Sequence, residues 1–148
     1  MRNKLSIGLF GFGVVGTGLY EVLNKSKLLD AQISKIVVKD PTKSRKLPAE
    51  VFSYRKEDIL EDVNISVVVE LINDSHAAYE IVTTALKSKK HVVSANKKLI
   101  AEHFDELINL AKENNVSFLY EAAVGGSIPI IRNLEEYYNN DTLSSVQG

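Results

Sequence analysis

Short runs of aliphatic and β-branched residues alternate along the chain with longer segments in which apolar residues recur at helical spacing. The short runs predict five strands, at residues 5–10, 33–38, 65–71, 91–94 and 116–120. Val67, Val68 and Val69 are consecutive, which favours burial on both faces, as in a parallel sheet. The longer segments predict helices over 14–24, 75–88 and 97–114, and a last helix capped by Ser127.

This alternation of strand and helix is typical of βαβ units, so it predicts an α/β fold with a doubly wound parallel sheet. In the first helix Val15, Leu19, Val22 and Leu23 are expected to face inward. Residues 41–57 are polar and contain two prolines, which predicts an irregular surface connection. The tail, 139–148, shows a turn and the start of an extended run over 143–146. We therefore expect one domain over residues 1–148.

The composition excludes several classes of protein. The chain has 148 residues, of which 45% are hydrophobic, so it has the means to bury a core and is not disordered. A net charge of -1 gives no electrostatic footprint for nucleic acid or an anionic membrane. Without cysteine there are no disulfides or thiolate ligands, and His76, His91 and His103 lack the spacing of metal ligands. No signal peptide or spanning segment is recognisable, so a cytoplasmic location is expected.

A glycine-rich turn separates the first strand from the first helix. The sequence Gly11-Phe12-Gly13-Val14-Val15-Gly16 is G-x-G-x-x-G in the context that dinucleotide binding requires, which predicts a Rossmann-type domain. Gly11 permits the tight turn, Gly13 lets a pyrophosphate approach the backbone, and Gly16 lets the helix pack closely on the sheet. The alternative is a plain strand-to-helix turn.

The end of the second strand carries two candidates for reading the adenosine ribose. Asp40 follows Gly16 at about the interval expected for an acceptor of the 2′-hydroxyl, which favours NAD. Lys39 precedes it, and Arg45 and Lys56 follow in the polar connection, which favours tolerance of the 2′-phosphate of NADP. The alternative for the basic residues is a solvated loop.

Three polar clusters follow strands that end at one edge of the predicted sheet, where ligands bind in this architecture. They are residues 73–75, residues 94–97, and Glu121 with residues 125–127. Asn96 is a candidate N-cap, yet the helix behind it opens with Lys97 and Lys98. Cations oppose the helix dipole there at a cost of about 0.3 to 1 kcal/mol. This indicates a role for Lys97 that outweighs the local cost, the alternative being a lysine that turns into solvent.

The motifs SANK (94–97) and YEAAVGGSIPIIRNL (120–134), together with GFGVVG, resemble the NAD(P)-binding domain of homoserine dehydrogenase over residues 7–148. The resemblance implies an enzyme that reduces L-aspartate 4-semialdehyde to L-homoserine with NADPH or NADH, and that is a homo-oligomer when intact. Lys97 matches the family lysine between nicotinamide and substrate, where it is catalytic. Lys98 is expected at the surface.

The resemblance also implies the site residues. Binding of NADP or NAD is expected to involve Gly11, Phe12, Gly13, Val14, Val15, Gly16, Lys39, Asp40, Lys56, Asn73, Asp74, Ser94, Ala95, Asn96 and Lys97. A monovalent cation, commonly sodium, is implied at Glu121, Val124, Gly126 and Ile128.

Three positions depart from the family pattern. Asn73-Asp74 stands where the family has two glycines, which puts the tightness of binding near the nicotinamide in question. Ser94 replaces a threonine and keeps its hydroxyl, and Lys39 replaces an arginine and loses the bidentate fork for a phosphate.

The chain ends where the family's substrate and dimerisation domain begins, so we expect this chain alone to bind nucleotide without turnover. Two competing hypotheses remain. A non-catalytic nucleotide-sensing module needs the glycine turn but not SANK, and a different reductase, of a cyclic imine or a sugar, would share the architecture.

Overall fold

The computed structural model describes residues 4–26, 30–126, 128–137 and 145. The predicted cap at Ser127 lies outside the described residues, as does the predicted tail apart from residue 145.

Six parallel strands form one sheet in the order β3-β2-β1-β4-β5-β6. The strands are Leu5–Phe10 (β1), Ala31–Val37 (β2), Phe52–Ser53 (β3), Val67–Glu70 (β4), His91–Ser94 (β5) and Phe118–Leu119 (β6). The helices are Val14–Lys25 (α1), Glu57–Leu60 (α2), Ser75–Lys87 (α3), Lys97–Glu113 (α4), Glu121–Val124 (α5) and Ile130–Tyr137 (α6), with a 3-10 turn at Ala49–Val51. This is the strand order of a doubly wound dinucleotide-binding fold, so the predicted fold class is confirmed.

The prediction of an irregular connection over residues 41–57 was wrong in its last third. Phe52 and Ser53 pair with Ile36 and Val37 and add a sixth, edge strand. Two residues are too short to show the alternation by which a strand is recognised. The strands predicted at 65–71 and 116–120 are shorter in the structure, because only their central residues pair with neighbours.

Two apolar clusters sandwich the sheet, with α3 and α4 covering one and α1 contributing to the other. The prediction that Val15 and Val22 face inward was wrong, since they are 64% and 59% exposed. Gly16 is the buried residue of α1, and Leu19 and Leu23 pack into the cluster. The apolar face of α1 is therefore centred on residues 16, 19 and 23, and Val15 and Val22 lie at the edge of that face.

The short helix α2 explains why β1 contains a glycine, Gly8. A Cβ atom on Gly8 would lie 2.4 Å from a side-chain carbon of Ile59, a fully buried residue of α2. Gly8 thus lets α2 rest directly on the central strand. Within the described ranges, no helix is both long and apolar enough to cross a membrane.

Candidate nucleotide-binding site

The carboxyl ends of β1 and β4 lie side by side in the middle of the sheet, and the order of the strands reverses between them. After β1 the chain builds outward through β2 and β3, and then returns to add β4, β5 and β6 on the other side. Ligands in open α/β sheets bind beyond the strand ends at such a reversal. All the polar clusters that the sequence singled out follow strands that end at this edge.

The glycine turn has the tight geometry that its sequence predicts. Gly11 has a φ of 94°, and a Cβ there would lie 2.9 Å from the carbonyl oxygen of Leu71. A Cβ on Gly16 would lie 2.5 Å from the carbonyl oxygen of Gly11. Larger residues at either position would push the turn away from β4 or lift α1 from the turn.

Gly13 differs from its two partners because its surroundings are open. It is the N-cap residue of α1, with no side-chain cap, and a Cβ built on it meets no atom within 4 Å. The next residue, Val14, is 92% exposed. The start of α1 is therefore open around Gly13 and lacks a side-chain cap, and an uncapped helix N-terminus is suited to receive a phosphate.

A cluster of aromatic side chains packs against Phe12 of the glycine turn. The ring of Phe12 meets the rings of Phe52 and Tyr20 edge-on, with centroids 5.3 and 6.2 Å away. The guanidinium of Arg45 lies 5.2 Å from the centroid of Phe52. Sequence reasoning assigned Phe12 to cofactor binding but missed Phe52, because β3 was not recognised.

The loop after β2 presents Lys39 and Asp40, both exposed. One carboxylate oxygen of Asp40 accepts from the amide and the hydroxyl of Thr42, at 2.8 and 2.7 Å. These bonds hold the pKa of the Asp40 carboxyl below its ordinary value. Arg45 donates to the carbonyl oxygen of Asp40 at 2.8 Å, which fixes the loop. Asp40 is thus a preorganised anion with Lys39 next to it in the chain.

Lys56 lies near the other end of the polar connection, far from Lys39 and Asp40 along the chain. Its ammonium is 3.1 Å from a carboxylate oxygen of Glu80 on α3. The pair is about half exposed. A role of Lys56 in binding a 2′-phosphate would need this ion pair to open, and it stays a prediction.

The departure at Asn73-Asp74 has a local explanation. Asp74 is the N-cap of α3, and its side chain accepts from the amides of His76 and Ala77 at 3.0 and 3.1 Å. These amides lower the pKa of the Asp74 carboxyl, with a smaller contribution from the charge of Lys39. Asn73 is exposed. The acidic side chain is therefore turned towards its own helix.

A cavity of about 160 Å³ opens between the glycine turn and the ends of β4 and β5. It is lined by Val15, Leu71, Ile72, Asn73 and Ala95. A larger cavity, of about 420 Å³, is lined by residues of the opposite edge, including Lys89 and Lys90, and holds none of the predicted site residues. The smaller cavity is the one at the strand reversal.

Asn96 and Lys97 form the start of α4 beside the smaller cavity. The Asn96 side chain accepts from the amide of Leu99 and donates to the carbonyl oxygen of Ile72, both at 3.1 Å. This confirms the predicted N-cap. Lys97 is exposed and makes no ion pair with any residue that the structure describes. Lys98 lies 3.7 Å from Glu102 and is largely exposed, as predicted.

Sequence reasoning missed Glu70, a fully buried acidic residue at the end of β4. Its carboxylate accepts from the hydroxyl of Ser94 at 2.6 Å and from the amide of Ile72 at 2.7 Å. Burial raises the pKa of this carboxyl above its ordinary value, while hydrogen bonding from Ser94, from the amide of Ile72 and from the side chain of Asn96 acts in the opposite direction. The signal in the sequence is an acidic residue directly after three valines. Ser94, assigned to cofactor binding from the sequence, is buried, with its hydroxyl directed at Glu70.

Glu121 is the first residue of α5, and its side chain reaches the start of α6. Its two carboxylate oxygens accept from the amides of Ile131 and Arg132, at 3.1 and 2.9 Å. Val124, Gly126 and Ile128 are exposed, and Gly126 has a φ of 61°. No group of three or more acidic or histidine residues suited to a metal occurs in ranges 4–26, 30–126 and 128–137. The carboxylate of Glu121 thus acts as a cap for α6.

Comparison with known proteins gives a consistent result. A family model described as "Homoserine dehydrogenase, NAD binding domain" matches residues 11–121. Homoserine dehydrogenases of Bacillus subtilis and Lactococcus lactis are 38% and 39% identical to this chain over 99% and 97% of its length. This chain spans about a third of the length of these curated relatives, namely 36% of each.

Solved structures agree. The homoserine dehydrogenase of Thiobacillus denitrificans superimposes with a TM-score of 0.82 at 33% identity, over 89% of this chain and 32% of that one. A hyperthermophilic archaeal homoserine dehydrogenase, solved in complex with NADPH, superimposes with a TM-score of 0.75 at 30% identity, over 88% and 47%.

Proposed function

This chain belongs to the homoserine dehydrogenase family, as its NAD-binding domain, and on that premise we propose that it binds NADP or NAD at the carboxyl edge of the sheet. The observation that carries the proposal is the open face at Gly13. Gly13 begins α1 without a side-chain cap, and a Cβ built on Gly13 meets no atom within 4 Å. Gly11 and Gly16, by contrast, are closely packed against backbone atoms, so the turn is crowded at these two positions and open at Gly13, where the pyrophosphate would lie.

Two matched glycine variants test this proposal. A Cβ has room at Gly13 and equally at Gly18, within α1. Neither Cβ therefore clashes, so both variants should remain folded, and Gly13→Ala should lose at most about 1 kcal/mol of stability because alanine is a poorer N-cap residue than glycine. Gly13→Ala should weaken NADPH binding about tenfold or more, because the methyl group occupies the space of the pyrophosphate. Gly18→Ala should leave calorimetric titrations unchanged. Equal affinity of the two variants would contradict the proposal.

For the ribose end we propose that Lys39 binds the 2′-phosphate of NADP and that Asp40 accepts the 2′-hydroxyl of NAD. Lys39→Ala should weaken NADPH binding and spare NADH, and Asp40→Ala should do the reverse. Lys43→Ala removes an exposed cation from the same loop and serves as the control. If Lys43→Ala reduces NADPH affinity as much as Lys39→Ala does, the loop acts only as a diffuse positive patch.

At the nicotinamide end we propose that Lys97 serves a reduction of L-aspartate 4-semialdehyde to L-homoserine. The nicotinamide supplies a hydride to the aldehyde carbon when it is bound. An ammonium beside that carbon polarises the aldehyde oxygen and helps to deliver a proton to it. The N-cap Asn96 fixes the start of the helix on which Lys97 stands.

We further propose that this chain by itself binds nucleotide without turning over substrate, because the resemblance assigns the remaining catalytic residues and most substrate contacts to a further domain. Oxidation of homoserine by the purified chain, followed as NADPH absorbance, would contradict this. The same resemblance is the basis for proposing that the intact enzyme is a homo-oligomer.

A monovalent cation at Glu121, Val124, Gly126 and Ile128 is also part of the proposal, and it is supported by the resemblance. Hard oxygen ligands suit sodium. The carboxylate of Glu121 already caps α6, so backbone carbonyl oxygens would have to supply most of the ligands.

A further inference from the structure

Glu70 is a buried acidic residue that the proposed chemistry does not use. Its side chain is fully buried at the end of a central strand, and it makes no ion pair with any residue in the described part of the chain. A carboxylate withdrawn from water without a cation is unfavourable unless hydrogen bonds replace its hydration. An apolar residue would fill this position at lower cost if packing were its only role.

The two hydrogen bonds of the carboxylate join separate parts of the sheet edge. One oxygen accepts from the amide of Ile72 and so fixes the backbone where the chain leaves β4. The other accepts from the hydroxyl of Ser94, the last residue of β5. In addition, the backbone carbonyl oxygen of Glu70 accepts from the amide of Ala95 at 3.2 Å.

The hydrogen bonds continue from Ser94 to the start of α4 and return to Ile72. The Ser94 hydroxyl oxygen accepts from the amide of Asn96 at 3.1 Å, and the Asn96 side chain donates to the carbonyl oxygen of Ile72. Glu70, Ser94, Asn96 and Ile72 thus form a closed ring. Ile72, a member of this ring, and Ala95, whose amide donates to the backbone carbonyl oxygen of Glu70, line the 160 Å³ cavity. Lys97 is the next residue along the chain.

We propose that Glu70 is a positioning residue for the nicotinamide end of the nucleotide site. Its carboxylate holds the floor of the cavity and the first turn of α4 in one arrangement, and this inference rests on the proposed nucleotide binding. The position requires two acceptor oxygens, one for the Ile72 amide and one for the Ser94 hydroxyl. A glutamine has one acceptor oxygen and one NH2 donor, so Glu70→Gln keeps the acceptor for the Ile72 amide only by presenting a donor to Ser94. That reverses the hydrogen bond to Ser94 and turns the buried Ser94 hydroxyl hydrogen away from its acceptor in the ring.

The test compares two nucleotides that differ only in the nicotinamide. NADP⁺ and 2′-phospho-ADP-ribose share the adenosine, the 2′-phosphate and the pyrophosphate. Calorimetric titration should show that Glu70→Gln weakens NADP⁺ binding about tenfold, the worth of one hydrogen bond to a charged group. The affinity for 2′-phospho-ADP-ribose should stay within about twofold of wild type, which is well below the worth of such a bond. A merely structural residue would change both affinities together or neither.

Two further variants complete the design. Thr83→Val removes a buried hydroxyl that donates to the carbonyl oxygen of Tyr79 within α3, and it should change neither affinity. Ser94→Ala breaks the same ring at its second member and should show the same selective loss, which keeps the test decisive if Glu70→Gln does not fold.

The outcomes separate this inference from the function on which it rests. If wild type binds both nucleotides and neither Glu70→Gln nor Ser94→Ala shows a selective loss, the inference is overturned and nucleotide binding stands. It is equally overturned if wild type binds the two nucleotides with the same affinity. If wild type binds neither, the proposed function fails and this inference falls with it.

Discussion

The helices α3 and α4 start at neighbouring points of the same sheet edge, yet their first turns are built in opposite ways. Asp74, an anion, caps α3, and the first turn of that helix carries no lysine or arginine. Asn96, a neutral residue, caps α4, which then opens with Lys97 and Lys98. Negative charge at a helix N-terminus is favourable and positive charge is not. The cap of α3 thus stabilises its own helix. The lysines at the start of α4 interact unfavourably with their helix dipole, and they place a cation at the strand reversal.

The two caps also differ in burial. Asp74 is exposed and bonds only to its own helix, while Asn96 is 8% exposed and bonds both to α4 and to the carbonyl oxygen of Ile72. A cap that joins two elements fixes their relative position. The difference indicates that the position of α4 matters more than its local stability.

The largest expected effect is the difference in catalytic rate between variants of Lys97 and of its neighbour Lys98. In the full-length enzyme Lys97→Ala should reduce kcat by about 10² to 10⁴, the usual contribution of a group that transfers a proton. Lys98→Ala, which removes an equivalent charge that pairs with Glu102, should leave steady-state homoserine oxidation nearly unchanged. Similar rates for the two variants would mean that the cation at the start of α4 has no part in the reaction.

The next effect compares the two caps. Asn96→Ala should lower the free energy of unfolding by about 2 kcal/mol, since it removes a helix cap and leaves the partly buried carbonyl oxygen of Ile72 without its donor. Asp74→Ala should cost less, because water replaces its exposed bonds. Urea denaturation of both variants measures the difference. An equal loss would show that Asn96 acts only as a local cap.

The third prediction contrasts Asp74 with Glu70, whose pKa values shift in opposite directions. The lowered pKa of Asp74 contributes stability at neutral pH that is lost as pH falls through its folded-state value. The raised pKa of Glu70 contributes stability below its unfolded-state value of about 4.3, and this is lost as pH rises through the folded-state value. In urea titrations across this range Glu70→Gln should therefore gain stability relative to wild type with rising pH, and Asp74→Asn should lose it. Parallel curves would contradict both assignments.

The smallest effect concerns α6, whose start resembles that of α3. Glu121 caps it with a carboxylate, and the proposed cation would lie beside this cap. At a sodium concentration equal to its Kd the ion would add about 0.4 kcal/mol, or about one to two degrees in melting temperature. Melting in sodium chloride and in choline chloride at equal ionic strength measures this shift. Identical melting temperatures would leave Glu121 as a helix cap alone.

Much of this organisation was predictable because it depends on local patterns. The strands β1 and β5 and the helix α4 matched their predicted bounds closely, since each has a clear period or a clear cap. Asn96 was recognised as a cap because the residue type and its place before an apolar period are sufficient. The glycine turn was recognised because its spacing and its context agree.

Other features were not predictable because they depend on partners distant in sequence. The strand β3 exists only through pairing with β2, and the exposure of Val15 and Val22 follows from the way Gly16 seats α1 on the sheet. The departure at Asn73-Asp74 looked unfavourable for binding, but the structure turns Asp74 towards its own helix as a cap.

The sequence by itself determined the fold class and the motifs, because these depend on periodicity and spacing along the chain, and the motifs carry the resemblance to the family. Only the tertiary structure decided which polar groups are buried and what they join. Glu70 and Ser94 are 24 residues apart in sequence and meet because β4 and β5 are parallel neighbours in register. A hydrogen bond between such residues depends on strand order, and strand order is a property of the folded sheet.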